Sequence, residues 1–309
     1  MAPTTEISKL TSVLDDLAMF GALPTSYSRA NITIVCPRQY HLRYVERTPG
    51  GTPLRSEPAR VGKFIHTVMQ YCIEKGDAFG FTDEDVDFDL IWHQTAKSYN
   101  LSVAEYNMAQ TMRTETRNVL SRFLRTIRER QLSPMPEVKV TMNKAYEVKR
   151  NTKYENRVFT GSIDLLAFSA NRNRAILVDY KTHRRSEDRA EEVALQTAIY
   201  SLFTFLRYPE TQLIQAGCAY IPDEDVDLTT KFDRDRDFPF LVDKVTDFFS
   251  KVRDVHQNAP EVGMPPLKSK YCDWCGFING CPLHQAKTKT KTKITPKAKS
   301  KANEKTKST

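Results

Sequence analysis

Two aspartates and a lysine are the first residues whose types and spacing could do chemistry. Asp164 closes the run Gly161-Ser162-Ile163-Asp164, and fifteen residues later comes Asp179-Tyr180-Lys181. Ile176-Leu177-Val178 ahead of Asp179 reads as a buried strand, and a carboxylate at the end of such a strand needs a partner. Residues two apart on a strand share a face, so Asp179 and Lys181 point the same way. In the preceding segment, Phe159, Gly161, Ile163, Leu165 and Ala167 are expected on one face and Asp164 on the other. The polar turn 171–174 lets the two segments pair as a hairpin, which brings two carboxylates and an ammonium to one sheet surface. That set suits a hard divalent cation, Mg2+ or Mn2+, whose ligands are carboxylate, carbonyl and water oxygens. Two aspartates neutralise the ion and leave positions open for water and a phosphate oxygen. Lys181 would orient the attacking water or stabilise developing charge. Taken alone, Asp-x-Lys reads first as a salt-bridged strand surface.

A second group is built from thiols. Cys272-x2-Cys275-x5-Cys281 can wrap a soft metal or an iron–sulfur cluster but leaves one ligand missing. Cys36 is the best fourth; it and Cys281 each precede a proline, which stiffens a ligand loop. Cys72 and Cys218 read as ordinary buried thiols. Structural zinc is the rival, although it favours two separated Cys-x2-Cys pairs.

These residues must be positioned by an α/β arrangement. A short amphipathic helix is expected near 7–19, then one capped by Ser28 and ending before Cys36, and a loop over 48–58. Val61, Phe64, Ile65, Val68, Met69, Cys72 and Ile73 recur at helical spacing over 61–75. His66 lies at the edge of that stripe, where a satisfied core histidine is the bland alternative. Asp83, Glu84, Asp85, Asp87 and Asp89 suit the start of the next helix, and one long helix is expected over 103–130. Strands follow at 137–149, 157–169 and 175–181, separated by polar turns at 151–156 and 171–174. Then come an apolar helix near 187–206, a strand at 214–221 and a helix at 239–256. Gln196 and Tyr200 share one face of the apolar helix, where simple packing would also account for them. Helices, three strands, helix, strand, helix is the order of an α/β sheet domain with an N-terminal helical portion.

Charge narrows the function classes. The 309 residues carry a formal net charge of +8, yet residues 285–309 hold nine lysines against Glu304 alone. The remainder is balanced, with 37 basic and 37 acidic residues, which excludes a uniformly basic nucleic-acid coat. Residues 1–25 read as a partly ordered lead-in, 26–284 as one domain, and 285–309 as a disordered Lys-rich tail. Arg184 and Arg185 after Lys181 are candidate phosphate contacts. Near Cys36, Arg29, Arg38, Arg43 and Arg47 are interleaved with Tyr27, Tyr40 and Tyr44, which offer faces for unpaired bases. No run of about 18 apolar residues marks a membrane span. Cysteines outside any disulfide framework, without a secretory signal, point to a reducing, cytoplasmic setting. No G-x4-G-K-[ST] loop provides an ATP-driven motor.

Gly-x3-His, Gly-x-x-Asp, Asp-x-Lys-Thr and Gln-x3-Tyr, in that order, resemble the RecB-like branch of the PD-(D/E)XK nuclease superfamily. The cysteine pattern is similar to the iron–sulfur staple of the CRISPR-associated exonuclease family and the AddB nuclease domain. The resemblance covers roughly 26–284. It implies a restriction-endonuclease-like mixed central sheet flanked by helices, with an iron–sulfur staple joining the N- and C-terminal segments. It implies metal ligation by His66, Asp164, Asp179 and the Tyr180 carbonyl, catalysis by Asp164, Asp179 and Lys181, and a DNA path along Gln196 and Tyr200. It further implies a [4Fe-4S] cluster on Cys36, Cys272, Cys275 and Cys281. The activity implied is Mg2+- or Mn2+-dependent exonuclease action on DNA ends, single-stranded and 5′ to 3′, in recombination, repair or phage DNA metabolism, with a separate helicase or recombination protein as partner. The chain lacks a literal Pro-Asp before the first acid and has Asp where many members have Glu. A non-catalytic DNA-binding or adaptor protein on this fold, and a zinc-stabilised nuclease, are the alternatives.

Overall fold

The computed structural model describes residues 7–22, 25–48, 57–78, 87–143, 147–149, 157–258, 264–272 and 275–284. The expectations for the acidic run 83–85, most of the loop 48–58, the turn 151–156 and the Lys-rich tail lie outside these residues.

Nine α-helices are described: α1 (Ser8–Met19), α2 (Tyr27–Val35), α3 (Pro37–Tyr40), α4 (Glu57–Ala78), α5 (Phe88–Tyr99), α6 (Val103–Gln110), α7 (Arg113–Glu129), α8 (Ala190–Arg207) and α9 (Arg234–Gln257). The strands are β1 (Ser133–Asn143), β2 (Val148–Lys149), β3 (Arg157–Phe168), β4 (Arg174–Lys181), β5 (Leu213–Tyr220) and β6 (Asp225–Asp233). They form one mixed sheet in the order β2-β1-β3-β4-β5-β6. All neighbours run antiparallel except β4 and β5, whose parallel pairing requires the crossover that α8 supplies. The expected mixed sheet flanked by helices is therefore present.

Each sheet face has its own core. On one, α1, α8 and α9 bury Leu14, Phe203, Leu241 and Phe249 against Val140, Phe159 and Leu177. On the other, α4 to α7 bury Phe64, Val68, Trp92 and Phe123 against Leu165, Val178 and Ile221. All seven residues of the α4 stripe are fully buried, and each such large side chain contributes about 1.5–3 kcal/mol. The lead-in contributes to the first core, because Leu10, Leu14 and Leu17 of α1 pack with α9.

Several boundaries differ from the sequence reading, each for a physical reason. Ser26, not Ser28, caps α2, its side chain accepting from the Arg29 N–H. The single helix over 103–130 is two: a Ser102–Glu105 capping box starts α6, and the chain breaks at Thr111–Met112 before α7. β1 begins at Ser133, four residues early, because its prolines pair across to β3 at Ala167 and Leu165. The last helix starts at Arg234, where the Asp233 carboxylate accepts from the Asp235 and Arg236 N–H groups, and it carries Pro239 inside its first turns. β6 has no counterpart in the sequence reading.

His256, in the last turn of α9, stacks on Phe20 at 6.3 Å and meets the Tyr40 ring edge-on at 5.0 Å. Burial, and after it Arg29, lowers its pKa from 6.5 to about 4. The folded protein thus keeps His256 neutral where the unfolded chain takes up a proton. The associated stability is present above pH 6.5 and is lost as pH falls towards 4, by roughly 1–2 kcal/mol after discounting for partial exposure. His256→Phe, which keeps the stack, is expected to flatten that acid limb in thermal melts across this range. An unchanged limb would place the acid sensitivity elsewhere.

Candidate active site between the two helical layers

The carboxyl end of β4 is a place that both helical layers can reach. β3 and β4 pair as the expected hairpin, and one register step beyond the Leu165–Val178 pair sets Asp164 opposite Asp179. On the other side of β3, the register sets Asp164 opposite Glu137 of β1. The parallel ladder sets Asp179 opposite Cys218 of β5. Glu137, Asp164, Asp179 and Cys218 therefore form a row across four strands. The pleat does not alternate simply here. Ile163 belongs to the core under α8 and Leu165 to the core under α4, so the single apolar face expected for β3 changes sides at Asp164. Glu137 opposite it has a left-handed backbone, φ 51°.

Asp179, Lys181 and Gln196 form a closed ring. The Lys181 Nζ lies 2.5 Å from Asp179 Oδ2 and donates to Gln196 Oε1 at 2.9 Å. The Gln196 amide nitrogen donates back to Asp179 Oδ1 at 2.9 Å. The ring locks the Asp179 and Lys181 side chains in one geometry. Burial lowers the Lys181 pKa, but Asp179 more than reverses this and the ammonium is held charged. Burial drives the Asp179 carboxyl upward, against Lys181 and with Asp164. A pair of carboxylates this close, 7 % exposed each, is the arrangement that a divalent cation relieves.

Asp164 is held from two sides. Its Oδ2 accepts from the Tyr180 N–H at 2.7 Å, and its Oδ1 lies 3.2 Å from His66 Nδ1. Burial lowers the His66 pKa, but Asp164 overturns that and the net shift is upward. The His66 ring also meets Tyr180 edge-on at 5.6 Å. His66, Glu137 and Asp164 bring one ligand atom each within 4.8 Å of one another, the one such His/Cys/Asp/Glu group among the described residues. The carboxylate and imidazole donors fit Mn2+ or Mg2+.

The motif glycines have packing reasons. A Cβ on Gly161 would come within 2.9 Å of the Tyr200 ring, and one on Gly62 within 3.0 Å of Thr182 Oγ1. Gly161 thus admits Tyr200 to the cleft, and Gly62 lets α4 close on the residue after Lys181. Burial first, and then Asp179, push the Tyr200 hydroxyl up.

The segment before α2 pairs alongside β3 in the parallel sense. Thr25 bridges Phe159, its N–H donating to the Val158 carbonyl and its carbonyl accepting from the Thr160 N–H. This seats Ser26, Tyr27 and Ser28 in the same cleft as Asp164, Asp179, Lys181, Gln196 and Tyr200.

Cys36 sits where α2 ends and α3 begins. The C-terminal segment reaches it: the Arg38 N–H donates to the Pro265 carbonyl, and turns at Cys272, Cys275 and Cys281 follow. Burial first, and then Cys36, Cys272 and Cys281 together, raise the Cys275 thiol. The four cysteines are gathered from the two ends of the described chain. Cys72 and Cys218 are buried as expected, and burial pushes both up to about 12.

Several candidates are already engaged within the fold. Arg184 pairs with Asp223 at 2.9 Å, and Arg185 with Asp225 at 3.0 Å and Asp227 at 2.7 Å. Tyr40 is 2 % and Tyr27 9 % exposed, and Arg29 lies over the Tyr40 and Tyr44 rings. Tyr27 and Tyr40 are structural, not open faces for bases. Glu137, Ser26 and Ser28 join the site without a sequence signal of comparable strength. The only hint of Glu137 is an acid following Pro134-x-Pro136 in an otherwise strand-like run.

A family model for the PD-(D/E)XK nuclease superfamily matches residues 24–282. No curated protein matches the chain.

Proposed function

The chain belongs to the PD-(D/E)XK nuclease superfamily, and on that footing we propose a divalent-cation-dependent DNA exonuclease acting at single-stranded ends. The observation that carries this reading is the Asp164–Asp179 pair with the locked Lys181 at the open end of β4. Asp164 and Asp179, with His66 and the Tyr180 carbonyl, would hold Mg2+ or Mn2+. The ion would lower the pKa of a bound water and offset charge on the scissile phosphate. Lys181, fixed by Gln196 and Asp179, holds a positive charge where negative charge develops on phosphorus oxygens. The N-terminus of α2, capped by Ser26, turns its partial positive end to the same cleft and favours an anion there. Tyr200, like Tyr27, is largely buried and would shape the wall of the DNA path beside Gln196. A separate helicase or recombination protein would present the end. Among the described residues no helix is long and apolar enough to cross a membrane.

The second part of the proposal is a [4Fe-4S] cluster on Cys36, Cys272, Cys275 and Cys281. The one-plus-three spacing of the cysteines supports a cluster over structural zinc, which favours two separated Cys-x2-Cys pairs.

The test uses DNA labelled at either end and a circular single strand. With Mn2+, linear DNA is expected to be shortened from one end, the circle is expected to be spared, and EDTA is expected to stop the reaction. Cutting of the circle would replace the exonuclease reading with an endonuclease. No metal-dependent hydrolysis of either would end the enzymatic reading.

A further inference from the structure

A second cleft adjoins the catalytic one and shares His66 with it. It has a volume of about 540 Å3 and is lined by Lys63, His66, Thr67, Gln70, Glu137 and Lys139. Lys63 stands one helical turn before His66 on α4, and Lys139 two residues after Glu137 on β1. Lys63 is about 4.5 Å along the helix from His66, and Lys139 lines the same cleft as Glu137. Both side chains are exposed, and no salt bridge engages either ammonium among the described residues. Their backbone carbonyls, by contrast, are used, accepting from Thr67 and Arg207.

The opposite flank has a different balance. Arg184 and Arg185, the expected phosphate contacts, face Asp223, Asp225 and Asp227. Two cations against three carboxylates leave that surface with no net positive charge to offer. A phosphate approaching there must displace existing ion pairs, whereas in the other cleft Lys63 and Lys139 stand against the single carboxylate of Glu137, which already accepts from Ser162 Oγ at 2.6 Å.

We infer that the cleft between α4 and β1 is a backbone-phosphate subsite, in which Lys63 and Lys139 hold the nucleic-acid phosphate next to the one being cleaved. This rests on the nuclease reading and fixes the side of the site along which the strand runs. Thr67 and Gln70 do not compete for that phosphate, because each is engaged on its own helix, Thr67 with Lys63 and Gln70 with Glu74. Lysines placed in this way supply charge without reading sequence.

The experiment measures binding of a labelled oligothymidylate in EDTA over a series of salt concentrations. Lys63→Gln/Lys139→Gln is expected to reduce the slope of log K against log salt by about 1.4, because each lysine that no longer neutralises phosphate charge removes about 0.7. Lys63→Arg/Lys139→Arg is expected to retain the wild-type slope. Arg184→Gln/Arg185→Gln is expected to leave it unchanged. A wild-type slope in the folded double glutamine variant overturns the subsite, and so does a reduced slope in the arginine variant. If the wild-type protein binds and cleaves DNA, those failures leave the nuclease reading standing. If it binds no DNA at all, both fall.

Discussion

Lys181→Gln is expected to slow single-turnover cleavage at saturating DNA about 10²–10³-fold, the usual cost of removing one preorganised charge or donor from a transition state. The ammonium sits 2.5 Å from Asp179 and 2.9 Å from Gln196, so it is positioned before substrate arrives and needs no reorganisation. DNA affinity should change little, because Lys181 is largely buried and acts on one phosphorus centre.

A stability signature separates this role from a merely structural one. Removing the ammonium leaves Asp179 buried beside Asp164, and breaking a buried pair by deleting one partner costs about 3–5 kcal/mol. A divalent cation restores the missing positive charge. Lys181→Gln should therefore melt earlier than wild type without metal and show a larger rise in Tm on adding Mn2+. Asp179→Asn removes a ligand as well as a charge, and its Mn2+ response should shrink. The outcome that sinks this mechanism is near-wild-type cleavage by Lys181→Gln, or an Mn2+ response in Asp179→Asn as large as that of wild type.

The sequence discloses the site unevenly, and the reasons are physical. Helical periodicity locates α4 and puts His66 at the edge of its buried stripe, because one face of a packed helix must be apolar. The strand–turn–strand pattern locates Asp164 and Asp179, because a hairpin is a local structure. Glu137 cannot be found this way. It joins the site through the pairing of β1 with β3 and a left-handed backbone, φ 51°, neither of which is written in local composition. β6 is hidden by Asp225, Asp227 and Asp233, which are poor strand formers. It becomes a strand by pairing with β5 at an irregular step where Gly217 has no Cβ to strike the Asp227 carbonyl, 1.8 Å from where that atom would be. The same strand, with the preceding turn, supplies the acids that pair with Arg184 and Arg185, so those ion pairs are hidden from the sequence as well. Cysteine spacing, by contrast, needs no register: it marks the C-terminal trio, and the neighbouring proline nominates Cys36 as the proposed fourth ligand.

Cys36→Ser is expected to abolish the iron–sulfur absorption of anaerobically purified protein and to lower both Tm and activity. The first effect follows from the loss of one of four thiolates. The second follows from chain entropy, because Cys36 and Cys272 are 236 residues apart. Closing a loop of that length restricts the unfolded chain by about 5 kcal/mol on the disulfide scale, which corresponds to a fall in Tm of roughly 10 °C or more. The apolar contacts of α1 and α2 with α9 should hold the fold together without the staple, so the variant should still melt cooperatively. The loss of activity follows from the placement of α2. Cys36 ends this helix, and Ser26 and Tyr27, which begin it, line the catalytic cleft. Nine residues of helix span only about 14 Å, so freeing one end lets the other shift against Asp164 and Lys181. Cys72→Ala and Cys218→Ala, which alter the two buried thiols, are expected to retain full iron content. Colourless wild-type protein with one zinc per chain would overturn the cluster, and unchanged iron content in Cys36→Ser would remove Cys36 from it.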